Sequence, residues 1–517
     1  MSHNKTLLWL CLLSILAAAC QSRTPVPTPD LSLDGQSVAG DLGADFESEV
    51  TWTECLFEAY RGQRAQPECG FVTVPLHYAG PNSGETLRLG FVRYKTFSED
   101  PKPDPVLLLA PFPLVSQAGF LPYLFEQLYK ERDLLVVDIR GIGVSEPALY
   151  CPEMDEAWWA SMPAGALSSE QWGELHLACR QKLEAQHVDL DAYSLTAMAT
   201  DFKVLRTALA YPEWDIIALG EGAYLAYELL AIDPDGVRSL VLDNVVPVYT
   251  GQPVSYAAAD ELLREIFALC TQDDSCREAF PNVEKVFYEV VEQLNAQPIT
   301  VLARDNQGGR QTDMLVDGNG LIDITLQIAR SNDLERIGQI PRMIYQLSIG
   351  KTTTLAKLAG LTLEGASMTL QGLYAMANCR HFPLPDDTAT HAALATLPPG
   401  LSNYFAKTAS DQQAICAAWG QAATLAPTTA TAGDTPILLL SGEWNWNAPT
   451  PLIDLFEKSA PGLRVAAFSA SGVNLFFTRG TMQCAQDLFN AFVGDPDAAL
   501  DMQCTQAERD ITWITLP

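Results

Sequence analysis

Between residues 71 and 246, short runs of aliphatic and β-branched residues alternate with stretches whose apolar positions recur every three or four residues. The pattern predicts strands at Phe71–Tyr78, Leu87–Tyr94, Val106–Ala110, Leu134–Ile139, Ile216–Leu219 and Ser239–Val245, with helices at Thr196–Ala210 and Ala223–Ile232. The run Val106-Leu107-Leu108-Leu109-Ala110 does not alternate, as expected of a strand buried on both faces. Strand and helix in alternation imply an α/β fold with a mostly parallel, doubly wound sheet. From about 251 to 430 the strand signals fade and amphipathic helices such as Ala258–Leu269 and Val283–Leu294 take over. Strands resume at Ile437–Leu440 and Leu463–Phe468. The expected layout is therefore a sheet domain in two parts, 49–250 and 431–517, around a helical cap at 251–430. The Ala- and Thr-rich stretch 421–434 reads as the return linker.

The first residues change the picture from a free protein to an exported one. Lys5 precedes an apolar run, Leu7 to Ala19, that is too short to span a bilayer and suits a signal-peptide core at 1–19. The run ends Leu16-Ala17-Ala18-Ala19-Cys20, which resembles a bacterial lipobox, where cleavage leaves a lipid-modified Cys20. Residues 20–48, with Thr24-Pro25-Val26-Pro27-Thr28-Pro29, read as an extended tether. The resulting expectation is a bacterial cell-envelope protein held to a membrane by its N-terminal lipid. The plainer alternative is an ordinary secretory signal with an incidental cysteine.

Cysteine usage agrees with an oxidising compartment. Of twelve cysteines, Cys11 lies in the signal and Cys20 is the lipid candidate. The other ten fall into neighbouring pairs, Cys55/Cys69, Cys151/Cys179, Cys270/Cys276, Cys379/Cys416 and Cys484/Cys504, read as structural disulfides. No CxxC pair or Cys/His cluster occurs, so no metal site and no cofactor are expected. Hydrophobic residues make up 48% and charged residues 18%, a globular profile. The 63 acidic against 32 basic residues give a formal charge of −31, which repels nucleic acid and excludes it as a partner.

One segment carries candidate chemistry. Ala218-Leu219-Gly220-Glu221-Gly222 joins a strand to a helix through small residues, the setting of a nucleophile elbow. Its nucleophile position is Gly220, which has no side chain to attack a carbonyl. Several further segments carry a resemblance. These are Cys69-Gly-Phe-Val-Thr-Val-Pro-Leu-His-Tyr78, Asp138-Ile-Arg-Gly-Ile-Gly-Val-Ser145, Asp201 with Arg206, Cys379 with Cys416-Ala-Ala-Trp419, and Cys484 with Phe492 to Pro496 and Cys504. In this order, over most of residues 52–508, the chain resembles the secreted tripeptidyl-aminopeptidase-like branch of the prolyl-aminopeptidase α/β hydrolases. The resemblance implies an α/β-hydrolase fold with a helical cap, and a Ser, Asp, His triad with an oxyanion loop.

Carried over position by position, the triad is degenerate. The serine falls on Gly220, the acid on Asn445 in Ser441-Gly-Glu-Trp-Asn-Trp-Asn-Ala-Pro449, and the histidine on Val473 after Ser471-Gly472. The oxyanion loop reads Ala110-Pro-Phe-Pro-Leu114, so Phe112 and Pro113 replace two glycines, and proline has no N–H to donate. The six histidines are His3, His77, His176, His187, His381 and His391, and none follows the last strand, where this fold keeps its base. Losing such a unit forfeits about six orders of magnitude in rate.

Other candidates divide between chemistry and packing. Glu221, at the elbow apex, is a substitute nucleophile or base, or else a charged residue lining the pocket. Trp444, Trp446 and Asn447 flank the acid position and either grip a ligand or pack under the cap. His381 beside Cys379, and Asp201, read as structural, and Asp138 with Arg140 as an internal ion pair. The leading expectation is a catalytically inactive envelope protein that binds a peptide or small apolar ligand, or a protein partner, in the old pocket. The rivals are a working hydrolase or aminopeptidase with its site moved to Glu221, and a purely structural envelope component.

Overall fold

The computed structural model describes residues 46–57, 66–78, 84–110, 115, 118, 129–244, 252–304, 309–360, 363, 376, 379–380, 384–420, 433–507 and 509–515. The signal and tether with Cys20, the oxyanion-loop positions Phe112 and Pro113, His381, and residues 421–432 of the return linker lie outside the described residues. Those described belong to one unit, Ser37–Pro517.

The strands are β1 (Val50–Thr53), β2 (Pro67–Pro75), β3 (Thr86–Tyr94), β4 (Val106–Leu109), β5 (Leu134–Val137), β6 (Trp214–Leu219), β7 (Val237–Asp243), β8 (Ile299–Arg304), β9 (Gln311–Val316), β10 (Ile437–Gly442) and β11 (Leu463–Phe468). Nine of them form one sheet in the order β1-β2-β3-β5-β4-β6-β7-β10-β11. The β1-β2, β2-β3 and β3-β5 pairs are antiparallel, and every pair from β5 to β11 is parallel. Setting aside the short edge strand β1, this is the strand order of the α/β-hydrolase fold, with β3 as its one reversed central strand.

The central strands β4 and β5 are apolar throughout because both faces of the sheet are covered. Alternate residues divide cleanly between two cores. Leu107, Leu109, Ile216, Ala218, Leu240, Leu242, Ile437 and Leu439 join one core, and Val106, Leu108, Ile217, Leu219, Val241, Leu438 and Leu440 join the other. A third core belongs to the segment inserted between β7 and β10, built on Leu263, Ile266, Phe287, Val291, Ile322, Met343 and Phe405. The insertion is not wholly helical. It contains the antiparallel hairpin β8-β9, whose strand Ile299–Arg304 alternates too weakly in hydrophobicity to stand out in sequence. The helices Ser169–Ala185 and Pro399–Trp419 also pack together, tied by Ser169 Oγ donating to Asp411 (2.6 Å) and Arg180 donating to the Ala418 carbonyl (3.0 Å).

Five disulfides join Cys55–Cys69, Cys151–Cys179, Cys270–Cys276, Cys379–Cys416 and Cys484–Cys504. Each is worth about 2–4 kcal/mol, and such pairing suits an oxidising, exported setting. Among the described residues no helix is long and apolar enough to cross a membrane.

One buried ion pair organises the edge of the sheet, and it is not the one expected between Asp138 and Arg140. Arg140 gives Nε and Nη2 to Asp201 (2.7 and 2.5 Å), Nη1 to the Leu76 and Ala192 carbonyls (2.9 and 2.6 Å), and Nη2 to the Pro75 carbonyl (3.2 Å). All five of its N–H groups are thus taken. Asp138 instead accepts the backbone N–H groups of Val115 and Val144, at 3.0 and 2.9 Å, and shapes the loops after β4 and β5. Removing one member of a buried pair leaves the other charge unpaired, at a cost of about 3–5 kcal/mol. Asp201→Ala is therefore expected to lose that much stability in urea denaturation followed by circular dichroism; a loss below about 1 kcal/mol would show that the pair does not hold this edge.

Candidate functional site

The turn after β6 keeps the form of a nucleophile elbow. Gly220 has φ +52°, in the left-handed region where glycine alone is unstrained. Its N–H donates to the Asp243 carbonyl (3.3 Å), and its own carbonyl accepts from Ala223 (3.0 Å), which starts the helix Gly222–Ile232. A Cβ on Gly222 would lie 2.8 Å from the Leu109 carbonyl oxygen, so only glycine lets the helix sit this close to β4. A Cβ on Gly220 would meet nothing within 4 Å. The elbow is intact in backbone and open above its apex, and it carries no nucleophile. Glu221, exposed beside it, sits at the N-terminal end of the helix, where the helix dipole favours a carboxylate.

The acid position is held by an amide with a structural task. Asn445 is 2% exposed. Its Nδ2 donates to the Asn244 carbonyl (2.5 Å), and its Oδ1 accepts from Asn447 N–H (3.2 Å). A carboxylate cannot donate, so aspartate in this geometry would set oxygen against the Asn244 carbonyl. Asn244 itself has φ +68°, and its Oδ1 accepts from Gly442 N–H (3.1 Å). Together the two amides lace the end of β7 to the end of β10. The neighbouring Asp243 is buried and accepts backbone hydrogen bonds from Leu475 and Phe476, and burial pushes its carboxyl up to about 7.

The base position lies on a loop stapled to the insertion. Val473 donates its N–H to the Arg330 carbonyl (2.9 Å) and accepts from Asn332 Nδ2 (2.5 Å), while Asn332 Oδ1 accepts from Gly472 N–H. Arg509, from the C-terminal segment, donates to Ser471 Oγ (2.5 Å), the Ala470 carbonyl (3.1 Å) and the Asn332 carbonyl (3.1 Å). The described histidines are elsewhere in the fold. His77 pairs with Asp189 at 2.9 Å, His391 contacts the Asp387 carbonyl, and His187 follows the helix Ser169–Ala185. His176 is buried and accepts from Trp419 Nε1 (2.9 Å); burial pushes it down to about 4, so it is neutral. None of these four stands on the turn after β6 or the loops after β10 and β11.

The aromatic candidates separate. Trp444 is 1% exposed, packs into the insertion's core and donates to Glu265 Oε1 (2.9 Å). It is a packing residue, and it does not line an open cavity as one reading of the sequence expected. Trp446 is half-buried, meets Phe405 edge-on with centroids 6.0 Å apart, and has a buried Nε1 with no acceptor among the described residues. Asn447 is exposed.

A charged group that sequence reasoning missed completes the site. Asp323, Gln327 and Arg330 form an i, i+4, i+7 stripe along the end of the helix Gly318–Ala329, whose other positions bury Leu321, Ile322, Ile324, Leu326 and Ile328. That polar stripe in an apolar helix was the available signal. Arg330 Nε and Nη2 donate to Gln327 Oε1 (3.0 and 2.7 Å), and Tyr404 OH donates to Asp323 (2.9 Å). All three ionisable groups sit deep yet keep some accessible surface. Burial pushes Arg330 down and Asp323 up, while Asp323, Tyr404 and Glu221 pull Arg330 back up. The guanidinium is thus within electrostatic reach of the elbow apex. Among the described residues no cluster of His, Cys, Asp or Glu is arranged to hold a metal ion.

Strand order and elbow together define an α/β-hydrolase-fold protein. No family model matches the chain. It is 24% identical over 235 residues to the tripeptidyl aminopeptidase of Streptomyces coelicolor, covering 42% of this chain and 41% of that enzyme. It is 20% identical over 304 residues to the putative hydrolase YuaR of Escherichia coli K12, covering 54% of this chain and 57% of that protein. The chain therefore spans about half the length of the curated relatives it matches, 41% and 57% for these two. Among solved structures it is similar to an alpha/beta hydrolase fold protein from Chitinophaga pinensis, at 10% identity and TM-score 0.34, covering 85% of this chain and 100% of that one. A thermophilic esterase from Thermogutta terrifontis gives 14% identity and TM-score 0.31, covering 82% and 98%.

Two outcomes test this geometry. Gly220→Ser places its side chain in open space but in a left-handed turn, so it should fold with a loss of about 1–2 kcal/mol. It should also show no burst of nitrophenol with p-nitrophenyl acetate, because no histidine among the described residues stands at the elbow; a burst would show that the other triad functions survive. For Asp243, the folded carboxyl titrates at about 7 and the unfolded one near 3.8, so folding favours the protonated form. The stability this lends is complete below pH 3.8 and is lost as pH rises through about 7. The melting temperature of the wild type relative to Asp243→Asn should therefore fall between pH 5 and pH 8, and a constant difference would refute the assignment.

Proposed function

We propose that this chain is a catalytically silent α/β-hydrolase-fold protein that binds a ligand beneath its cap. The observation that carries the reading is Gly220: the elbow retains its left-handed turn, its close helix packing and its open apex, and lacks only the reacting side chain. Asn445 supports it, because its amide donates to a carbonyl where an active site needs an orienting carboxylate. So does Val473, whose loop is held by Arg330, Asn332 and Arg509. The partial similarity to a tripeptidyl aminopeptidase supports a peptide-like ligand. The five disulfides support export, and with the lipobox-like Cys20 they support a lipid-anchored place in a bacterial envelope, signal at 1–19 and tether at 20–48.

A second reading keeps a hydrolase built on Glu221, favoured by its exposure at the apex within electrostatic reach of Arg330. The purified chain and a Glu221→Gln variant, incubated with aminoacyl-amide and short-chain ester substrates, separate the two. Both proteins should release product no faster than buffer. Turnover by the wild type that the variant abolishes would replace the silent reading with carboxylate catalysis.

A further inference from the structure

Arg330 differs from Arg140, another deep arginine of this fold. Arg140 has every N–H taken and a carboxylate at 2.5 Å, and it is held above the ordinary arginine value. Arg330 gives two N–H groups to the neutral Gln327 amide and has no carboxylate within ion-pair distance among the described residues. Its other N–H groups find no acceptor there, and burial leaves it below the ordinary value. Asp323 and Glu221 act on it only from beyond hydrogen-bond contact, and a deep guanidinium with no carboxylate on its fork is costly, a cost that is met when a ligand brings one. The backbone of Arg330 is fixed by its carbonyl bond to Val473, and its head is braced by Gln327, so the fork is pre-positioned. Trp446 Nε1 is a second buried donor without an acceptor, joined to the same wall through Phe405 and Tyr404. Glu221, at the elbow apex, is close enough to act electrostatically on Arg330 and carries the opposite charge.

We propose that Arg330 is a carboxylate-binding residue under the cap and that the ligand is a short free peptide or amino acid, its carboxylate on Arg330 and its ammonium toward Glu221. The inference rests on the reading of a ligand-binding cap and names the ligand class. A guanidinium fork matches a planar carboxylate in two parallel hydrogen bonds, and an amide terminus offers neither the charge nor the second acceptor.

The test is calorimetric titration of the full chain with trialanine, trialanine amide and N-acetyl-trialanine. Trialanine should bind about tenfold or more tightly than its amide, the equivalent of about 1.4 kcal/mol. Acetylation of the amine should weaken binding severalfold. Arg330→Gln should bring acid and amide to within about twofold, Arg330→Lys should keep part of the preference, and Glu221→Gln should remove the effect of acetylation alone. Acid and amide binding equally to the wild type, or no binding by any of the three peptides, overturns the proposal without reference to any variant. An unchanged acid preference in a folded Arg330→Gln overturns it as well. Mass spectrometry of the same samples separates the two readings. Cleaved peptide would sink the silent function, while the acid-to-amide ratio, then read from KM, still decides the role of Arg330.

Discussion

A backbone that turns at the end of a buried strand leaves polar groups that must be paired, and here three buried asparagines do the pairing. Asn244, Asn332 and Asn445 are 3%, 2% and 2% exposed. Asn244 and Asn445 join the ends of β7 and β10, and Asn332 joins the insertion to the loop after β11 through both faces of its amide. Two of them, Asn244 and Asn332, stand at φ +68° and +60°, a conformation that asparagine tolerates better than most side chains. An amide is the residue for this work because it donates and accepts at once. The same property makes it useless as the anionic partner of a catalytic imidazole. At the C-terminal end of this sheet, structural satisfaction and triad chemistry compete for the same positions, and satisfaction has prevailed.

The shape of the elbow follows from its two glycines. Gly220 and Gly222 are required by the left-handed turn and by contact with Leu109, whether or not a nucleophile is present. The lattice around Val473, with Arg509 across it, fixes the insertion to the sheet and leaves Arg330 within electrostatic reach of Asp323 and Glu221. Charge and shape serve binding, which is what the proposed silent function requires, whereas acyl transfer also requires a proton relay. The partial match to a tripeptidyl aminopeptidase fits a scaffold that keeps a recognition surface while its reacting groups differ.

Much of the fold was legible because its signals are local. The buried runs Val106–Leu109 and Ile216–Leu219 are continuous apolar stretches, and the ten paired cysteines sit close in sequence. The edge strand β1 and the hairpin β8-β9 were not, because exposed positions such as Trp52 and Leu302 blur the alternation that marks a half-buried strand. Gly220, Asn445 and Val473 could be singled out from sequence, but the contacts each makes could not. Arg140 was read as the partner of Asp138, two positions before it in the same loop, yet it pairs with Asp201 on the helix Leu195–Ala208.

The amino-acid sequence alone determined the alternation of strand and helix, the place of the insertion, the elbow and the absence of a side chain at its apex. These depend on residues adjacent in the chain, whose hydrophobic period and lack of a Cβ act wherever the fold puts them. Only the tertiary structure decided that Trp444 packs rather than binds, that Asn445 is a staple, and that Arg330 comes within reach of Glu221 from 109 positions away. Burial, pairing and electrostatic reach are relations between segments, and they exist only once folding has removed the water between them.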